Sequence, residues 1–281
     1  MDLLQILVLA IVQGAAELLP VSSSAHVTVA EKLMGLDPTA PQMTLLLVML
    51  HTGTMFAVIL YFWKSWRATY FSSMSAFRAN AWLIATATVV TGVVGLILLQ
   101  VIKHVVARNS PDFEIEVLFG DARLMSVALG AVGVMIILSS RAPERANQDF
   151  TLRGAAWVGA VQGLCLPFRG FSRSGATIST GLFLGVSRRR AEEFSFALAV
   201  VLTPPVIAKE AYRLYKAVGA SSATASAQLL HFFTPGLLGM ALSFLAGLAA
   251  LRWLSRWLEQ GRWHFFGVYC IFAAVIVRWI G

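Results

Sequence analysis

The sequence predicts an all-α polytopic membrane protein: six transmembrane helices plus two re-entrant helical hairpins, arranged as an inverted-topology repeat. Three observations carry this. Hydrophobic residues make up 58% of the 281 residues and charged residues only 13%, with a mean hydropathy of +0.74, whereas a soluble fold carries about 25% charge. The apolar residues fall into long runs separated by short charged loops. Two further apolar regions are interrupted by proline and serine, and they resemble each other. The chain therefore reads as a single membrane domain, 1–281, in two related halves, about 1–140 and about 141–281.

A membrane-crossing helix needs about 20 mostly apolar residues. Six segments qualify: roughly 45–63, 81–102, 124–140, 193–208, 236–254 and 264–280. The fourth contains Pro204 and Pro205, which are expected to break or kink its hydrogen-bond ladder. Residues 2–34 and 154–187 do not fit as full spans. Each has a short apolar run, then a polar turn (Pro20 with Ser22, Ser23 and Ser24; Pro167 with Ser172, Arg173 and Ser174), then a second run. A run of a dozen residues reaches about 18 Å, roughly half the hydrocarbon core. Each region therefore reads as a re-entrant pair of half-helices, whose non-helical turn survives at membrane depth only inside protein or a wet cavity.

The two regions repeat. Val12-Gln13-Gly14 recurs as Val161-Gln162-Gly163, a Leu-Pro follows at 19–20 and 166–167, and Ser22-Ser23-Ser24-Ala25 is echoed by Ser172-Arg173-Ser174-Gly175. Charge then sets orientation. Loop 64–80 holds Lys64, Arg67 and Arg78 without acids, 188–190 is three arginines, and 252–262 holds Arg252, Arg256 and Arg262 against Glu259. Loop 103–123 is acid-rich by contrast. Placing the basic segments in the cytoplasm fits all six spans, with Lys209, Arg213 and Lys216 on the outer side as the exception. The first hairpin then enters from outside and the second from inside, an inverted repeat whose site lies near the midplane.

Several classes are excluded. The net charge of +8 sits mostly in clusters between apolar runs, the membrane pattern rather than a nucleic-acid face. Cys165 and Cys270 lack metal spacing and read as small apolar fillers. The N-terminus has Asp2, no basic region, and an apolar run leading to Gln13 and Glu17, so it is not read as a cleaved signal.

Charge within apolar segments is costly, so each such residue is a functional candidate. Gln13 and Glu17 lie four apart on one helix face. Pro20 ends that half-helix, Ser22 or Ser23 caps the next, and His26 follows in its first turn. Carboxylate, hydroxyl and imidazole together are the set that activates a serine and moves its proton. The second motif opens a half-helix whose free N–H groups and dipole favour an anion. Arg173 adds a planar fork for phosphate oxygens, and Gly175 lets a ligand approach the backbone. Two plainer readings stand beside this: serine turns that only cap helices, and Arg173 as a structural partner of Glu17. His51, inside the first full span, reads as a hydrogen-bonded core histidine. Arg188, Arg189 and Arg190 read as topology determinants, with Glu192 and Glu193 as their partners. Trp63, Trp66, Trp253, Trp257, Trp263 and Trp279 read as interfacial anchors.

Gln13 through His26 resembles the first signature of the bacterial undecaprenyl-pyrophosphate phosphatase family, also called the bacitracin-resistance family. Gly170-Phe-Ser172-Arg173-Ser174-Gly175-Ala-Thr177 resembles its second, and Phe62-Trp63 and Gly185 through Glu193-Phe-Ser-Phe match further pieces. The resemblance covers essentially the whole chain. It implies removal of the terminal phosphate from undecaprenyl pyrophosphate, recycling the carrier lipid for peptidoglycan synthesis and giving bacitracin resistance. It also implies a bacterial inner-membrane location with the site open to the outer face, and a divalent cation, Mg2+ or Ca2+, near Glu17. Ser23, His26, Glu17 and Arg173 are the expected catalytic residues. Gln13, Ser22, Ser172, Ser174, Gly175 and Thr177 are the expected substrate contacts. Gln13 stands where many relatives have glutamate, and Arg169 is an inserted arginine. The expected partners are the polyprenyl pyrophosphate lipid and the bilayer, with a homodimer as a further expectation. The competing reading is a polyprenyl-phosphate flippase or other secondary transporter, because broken helices in inverted repeats are common there.

Overall fold

The long apolar runs, punctuated by proline, glycine and short polar turns, give ten α-helices among the described residues. The computed structural model describes residues 2–37, 41–105, 121–143, 148–219 and 225–280. The helices are α1 (Leu3–Leu18), α2 (Ser23–Leu33), α3 (Pro41–Thr69), α4 (Met74–Val105), α5 (Ala122–Ser139), α6 (Leu152–Cys165), α7 (Arg173–Phe183), α8 (Arg188–Gly219), α9 (Ala225–Glu259) and α10 (His264–Ile280). Lengths in the first half run 16, 11, 29, 32 and 18 residues; in the second they run 14, 11, 32, 35 and 17. Among the described helices, a short–short–long–long–medium order of lengths thus occurs twice. The acidic loop seen in the sequence falls largely on 106–120, outside the described residues.

Five helical segments are long and apolar enough to cross a bilayer: Met43–Thr69, Met74–Val105, Ala122–Ser139, Arg188–Lys209 and Thr234–Glu259. The chain is therefore a multi-pass membrane protein. The sixth expected span, 264–280, is α10, whose 17 residues extend about 26 Å, the lower limit for a crossing. Helix α8 runs on through Pro204 and Pro205, so, of the expected break or kink, the break is not found there. Both hairpin regions form pairs of short helices. Leu19, held extended ahead of Pro20 with φ −70° and ψ 150°, stops α1, because a residue before proline is disfavoured in helical conformation.

The chain divides into two compact units. The first comprises Met1–Leu19, His26–Trp63 and Ala199–Leu254. Its core is Ile6, Leu9 and Ala10 of α1, Val27 of α2, and Met43, Leu46 and Leu50 of α3. Small residues bring α9 onto α1: a Cβ at Gly14 would lie 2.7 Å from the Ala246 Cβ and 2.7 Å from the Ser243 carbonyl oxygen. Ser243 Oγ donates to the Leu50 carbonyl at 2.9 Å. Close backbone approach and hydroxyl hydrogen bonds are what hold helices together where lipid removes the hydrophobic incentive.

The second unit comprises Pro20–Ala25, Lys64–Leu198 and Ser255–Gly281. Here α10 packs on α5, α4 on α6, and α7 on both α5 and α6. Gly133 and Gly267 face each other at the α5–α10 crossing, where a Cβ on Gly133 would lie 2.8 Å from the Gly267 carbonyl oxygen. Two tryptophans expected at the interface are buried instead, because each indole N–H has an internal acceptor. Trp66 donates to the Glu193 carbonyl at 3.3 Å, and Trp263 donates to Ser139 Oγ at 3.0 Å. Trp63, Trp253 and Trp279 are exposed, as anchors should be.

The triple arginine is also more than a topology signal. Arg190 is buried: its Nε donates to Asp149 at 2.7 Å, Nη1 to the Tyr70 hydroxyl at 2.9 Å, and Nη2 to Asn80 Oδ1. Arg189 pairs with Glu193 at 3.0 Å, as expected. Glu192 is instead hydrogen-bonded by Ser255. Cys165 and Cys270 are both free thiols.

Candidate functional site

Helix α1 presents Gln13 and Glu17 on one face, and the amide uses the spacing: Gln13 Nε2 donates to Glu17 Oε2 at 3.0 Å. Gln13 is 1% exposed, so the carboxylate is held from its buried side by a residue with no freedom to leave. In the same unit, His51 Nε2 of α3 lies 3.6 Å from the same Glu17 oxygen. The other ring nitrogen, Nδ1, is 2.8 Å from the Leu47 carbonyl. His51 is therefore hydrogen-bonded as the sequence suggests, but it faces the candidate carboxylate. His26 is half-buried in the first turn of α2, and Val27 beside it anchors that helix in the core.

The serine turn belongs to the second unit. Ser22 has φ +67°, the left-handed region, where every other described residue with positive φ is glycine. Its hydroxyl lies 3.2 Å from Ser24 Oγ, and it is buried. Ser23, half-buried, is the first residue of α2. A non-glycine residue held in this conformation stores about 1–3 kcal/mol of strain, and such residues cluster at functional sites.

The second signature packs against this turn. Ser172 caps α7, accepting from the Gly175 N–H at 3.3 Å, and its Oγ is 3.4 Å from Ser174 Oγ. Arg173, half-buried, opens the helix. A Cβ at Gly175 would sit 3.3 Å from the Pro20 Cβ, 3.0 Å from Ile136 Cδ1 and 3.2 Å from Val132 Cγ2. The structure thus brings the two serine motifs together, and glycine is the residue that allows the approach. Cys270 Sγ donates to the Pro20 carbonyl at 3.1 Å, fixing the turn from a third side. Thr177 is buried, with its hydroxyl 2.8 Å from the Arg173 carbonyl and 2.6 Å from Ser195 Oγ. It thereby ties the start of α7 to α8. Ser195 lies in the Glu193-Phe-Ser-Phe piece that matches the family, but its pairing with Thr177, 18 residues away, was not visible in the sequence.

Chemically, the first unit offers a carboxylate flanked by an amide and an imidazole. The second offers hydroxyls and a guanidinium at the start of two short helices, where unpaired backbone N–H groups favour an anion. A divalent cation held by protein side chains alone does not fit the donor set. Such ions take six or more oxygen ligands. Glu17 is a single carboxylate with one oxygen already taken by Gln13. Among the described residues no three His, Cys, Asp or Glu side chains converge.

The profile of the family described as bacitracin resistance protein BacA matches residues 6–276. A protein of Acinetobacter baylyi named undecaprenyl-diphosphatase 2 is 60% identical over 278 residues, covering 99% of this chain and 98% of its own. A protein of the same name from Burkholderia orbicola is 34% identical over 290 residues, covering 98% and 95%.

Proposed function

The chain belongs to the bacitracin resistance protein BacA family, and from that premise we propose that it hydrolyses undecaprenyl pyrophosphate to undecaprenyl phosphate and inorganic phosphate. The enzyme is an undecaprenyl-diphosphatase, which recycles the carrier lipid of cell-wall synthesis and confers bacitracin resistance. The observation that carries this is the 60% identity, end to end, with a relative of that name. The flippase or transporter reading finds no support in those relatives and is not retained.

In this reading Ser23 attacks the terminal phosphorus, and water then cleaves the resulting phosphoserine, releasing inorganic phosphate and restoring the hydroxyl. Glu17, with its carboxylate held by Gln13, takes the proton, and His26 assists. Arg173 and the first N–H groups of α7 hold the phosphate oxygens, with Ser22, Ser172, Ser174 and the bare backbone at Gly175 around them. Thr177 supports this turn from behind. A guanidinium and backbone donors suit a pyrophosphate because they meet several oxygens in a fixed geometry. A divalent cation, Mg2+ or Ca2+, belongs to the substrate, arriving with the pyrophosphate that supplies its ligands. The two hairpins are re-entrant and the halves inverted. The site opens to the periplasmic face of the inner membrane, and the polyprenyl tail lies in lipid. A homodimer is a separate proposal, tested by the mass of the purified protein in detergent.

The experiment is phosphate release from undecaprenyl pyrophosphate by the purified protein. Ser23→Ala and Arg173→Ala are expected to lower kcat at least about 100-fold, the scale of a lost nucleophile or phosphate clamp. Near-normal turnover in both would sink the assignment.

A further inference from the structure

The hydrogen-bond geometry around His51 gives that residue a part in the reaction. A carbonyl oxygen can only accept, so the 2.8 Å contact with Leu47 places a hydrogen on Nδ1. In the neutral ring, Nε2 then carries a lone pair, and this nitrogen faces Glu17 Oε2 at 3.6 Å. Gln13 Nε2 holds the same oxygen from the other side at 3.0 Å. Two acceptors facing each other repel unless a proton lies between them. The arrangement therefore fits a carboxyl group that picks up a proton and passes it on.

We infer that His51 acts through Glu17, receiving the proton that the carboxylate withdraws from the attacking hydroxyl. This rests on the role proposed above for Glu17. The attacking O–H bond breaks as its oxygen bonds to the terminal phosphorus, and the proton goes to Glu17. The bridging P–O bond breaks, and its electron pair leaves with the polyprenyl phosphate. The proton moves from Glu17 to Nε2, giving an imidazolium whose other N–H stays on the Leu47 carbonyl. Water then attacks the phosphoserine: its hydroxyl bonds to phosphorus as the Ser23 Oγ–P bond breaks, and Oγ regains the proton held on His51. The water's own proton passes by way of Glu17 to solvent as inorganic phosphate departs, so the carboxylate is again an acceptor. With Gln13 at the position where glutamate is common in the family, His51 is the second proton-binding group beside Glu17. His51 is a positioning residue in this scheme, since it touches Glu17 rather than substrate. Its side chain is 40% exposed, so it is not enclosed by protein on every side.

The test uses full-length protein in detergent, with undecaprenyl pyrophosphate as substrate. His51→Gln keeps a hydrogen-bonding tip that cannot take up a proton, and His51→Ala leaves space. Both are expected to lower kcat about 10- to 100-fold, at the lower end of acid–base contributions, with KM within about twofold. Added imidazole is expected to restore a measurable part of kcat in His51→Ala and none in Glu17→Gln. Wild-type kcat in His51→Gln would overturn the inference. So would a loss in His51→Ala that tracks a lowered melting temperature and is not relieved by imidazole, which would mark a structural role. Wild-type protein that releases no phosphate would overturn the function proposed above, and this inference with it. An active wild type with unaffected His51 variants overturns the inference alone.

Discussion

Ser22 offers a substitution whose two versions separate backbone strain from hydroxyl chemistry. It is the one described non-glycine residue with positive φ, at +67°. For a residue with a Cβ, left-handed backbone costs about 1–2 kcal/mol. The hydroxyl contact to Ser24 is long, at 3.2 Å, and contributes at most about 1 kcal/mol. Ser22→Ala loses the contact and keeps the strain, so it should destabilise by about 1 kcal/mol. Ser22→Gly loses the same contact but relieves the strain, and should be more stable than the alanine variant by about 1 kcal/mol. For a chain of this size that difference is roughly 2–3 °C in Tm, measurable by thermal unfolding in detergent. Activity should divide differently. If the hydroxyl meets a phosphate oxygen, both variants lose the same bond to a charged group, and kcat/KM falls about tenfold or more in each. A glycine variant no more stable than alanine would refute the strain argument. A glycine variant with full activity would remove Ser22 from the site.

Two further outcomes follow from the Arg190 cluster. Arg190→Lys replaces a fork that meets three partners with a point charge, leaving the Tyr70 and Asn80 oxygens short of a donor. It should lower stability by about 2–4 kcal/mol, mostly from those two contacts, because Asp149 is 61% exposed and contributes little. A Tm within 1 °C of wild type would contradict this. Burial, opposed by Arg190, pushes the Tyr70 phenol up to about 12 from its ordinary value of 10. The neutral phenol is therefore favoured by folding. Its stabilisation is complete below about pH 10 and is lost as pH rises from 10 toward 12. Tyr70→Phe should flatten that alkaline decline in Tm, and an unchanged slope would show that other groups set it.

The helices were legible because an apolar run long enough to cross a bilayer leaves few alternatives. Their ends were not. The expected 45–63 became α3 over 41–69 and 236–254 became α9 over 225–259, since hydropathy reports the hydrocarbon layer whereas the hydrogen-bond ladder continues into the charged flanks. The two motifs were legible from their residues and their echo. Their mutual packing through Gly175 and Pro20 was not, because it depends on where α5 and α7 meet. Long-range partners were the least visible: Ser195 for Thr177, Ser139 for Trp263, and the three acceptors of Arg190 are far apart in sequence and carry no local pattern.

The same separation of local from long-range information explains how two similar half-helices hold different chemistry. Gln13 and Gln162 are equivalent in the repeat, and both are 1% exposed. Gln13 donates to Glu17, four residues on along the same helix. Gln162 donates to Thr91 Oγ1 of α4 at 3.2 Å, because the residue four positions on is Leu166. A Cβ at Gly95 of α4 would lie 2.6 Å from Leu166 Cδ1, so this leucine lies against α4. The first half-helix thus carries a Gln13–Glu17 pair that the second lacks. The second half is left to contribute Arg173 at the start of the next helix. In the mechanism proposed above, the first half supplies the base, Glu17, and the second the anion clamp, Arg173.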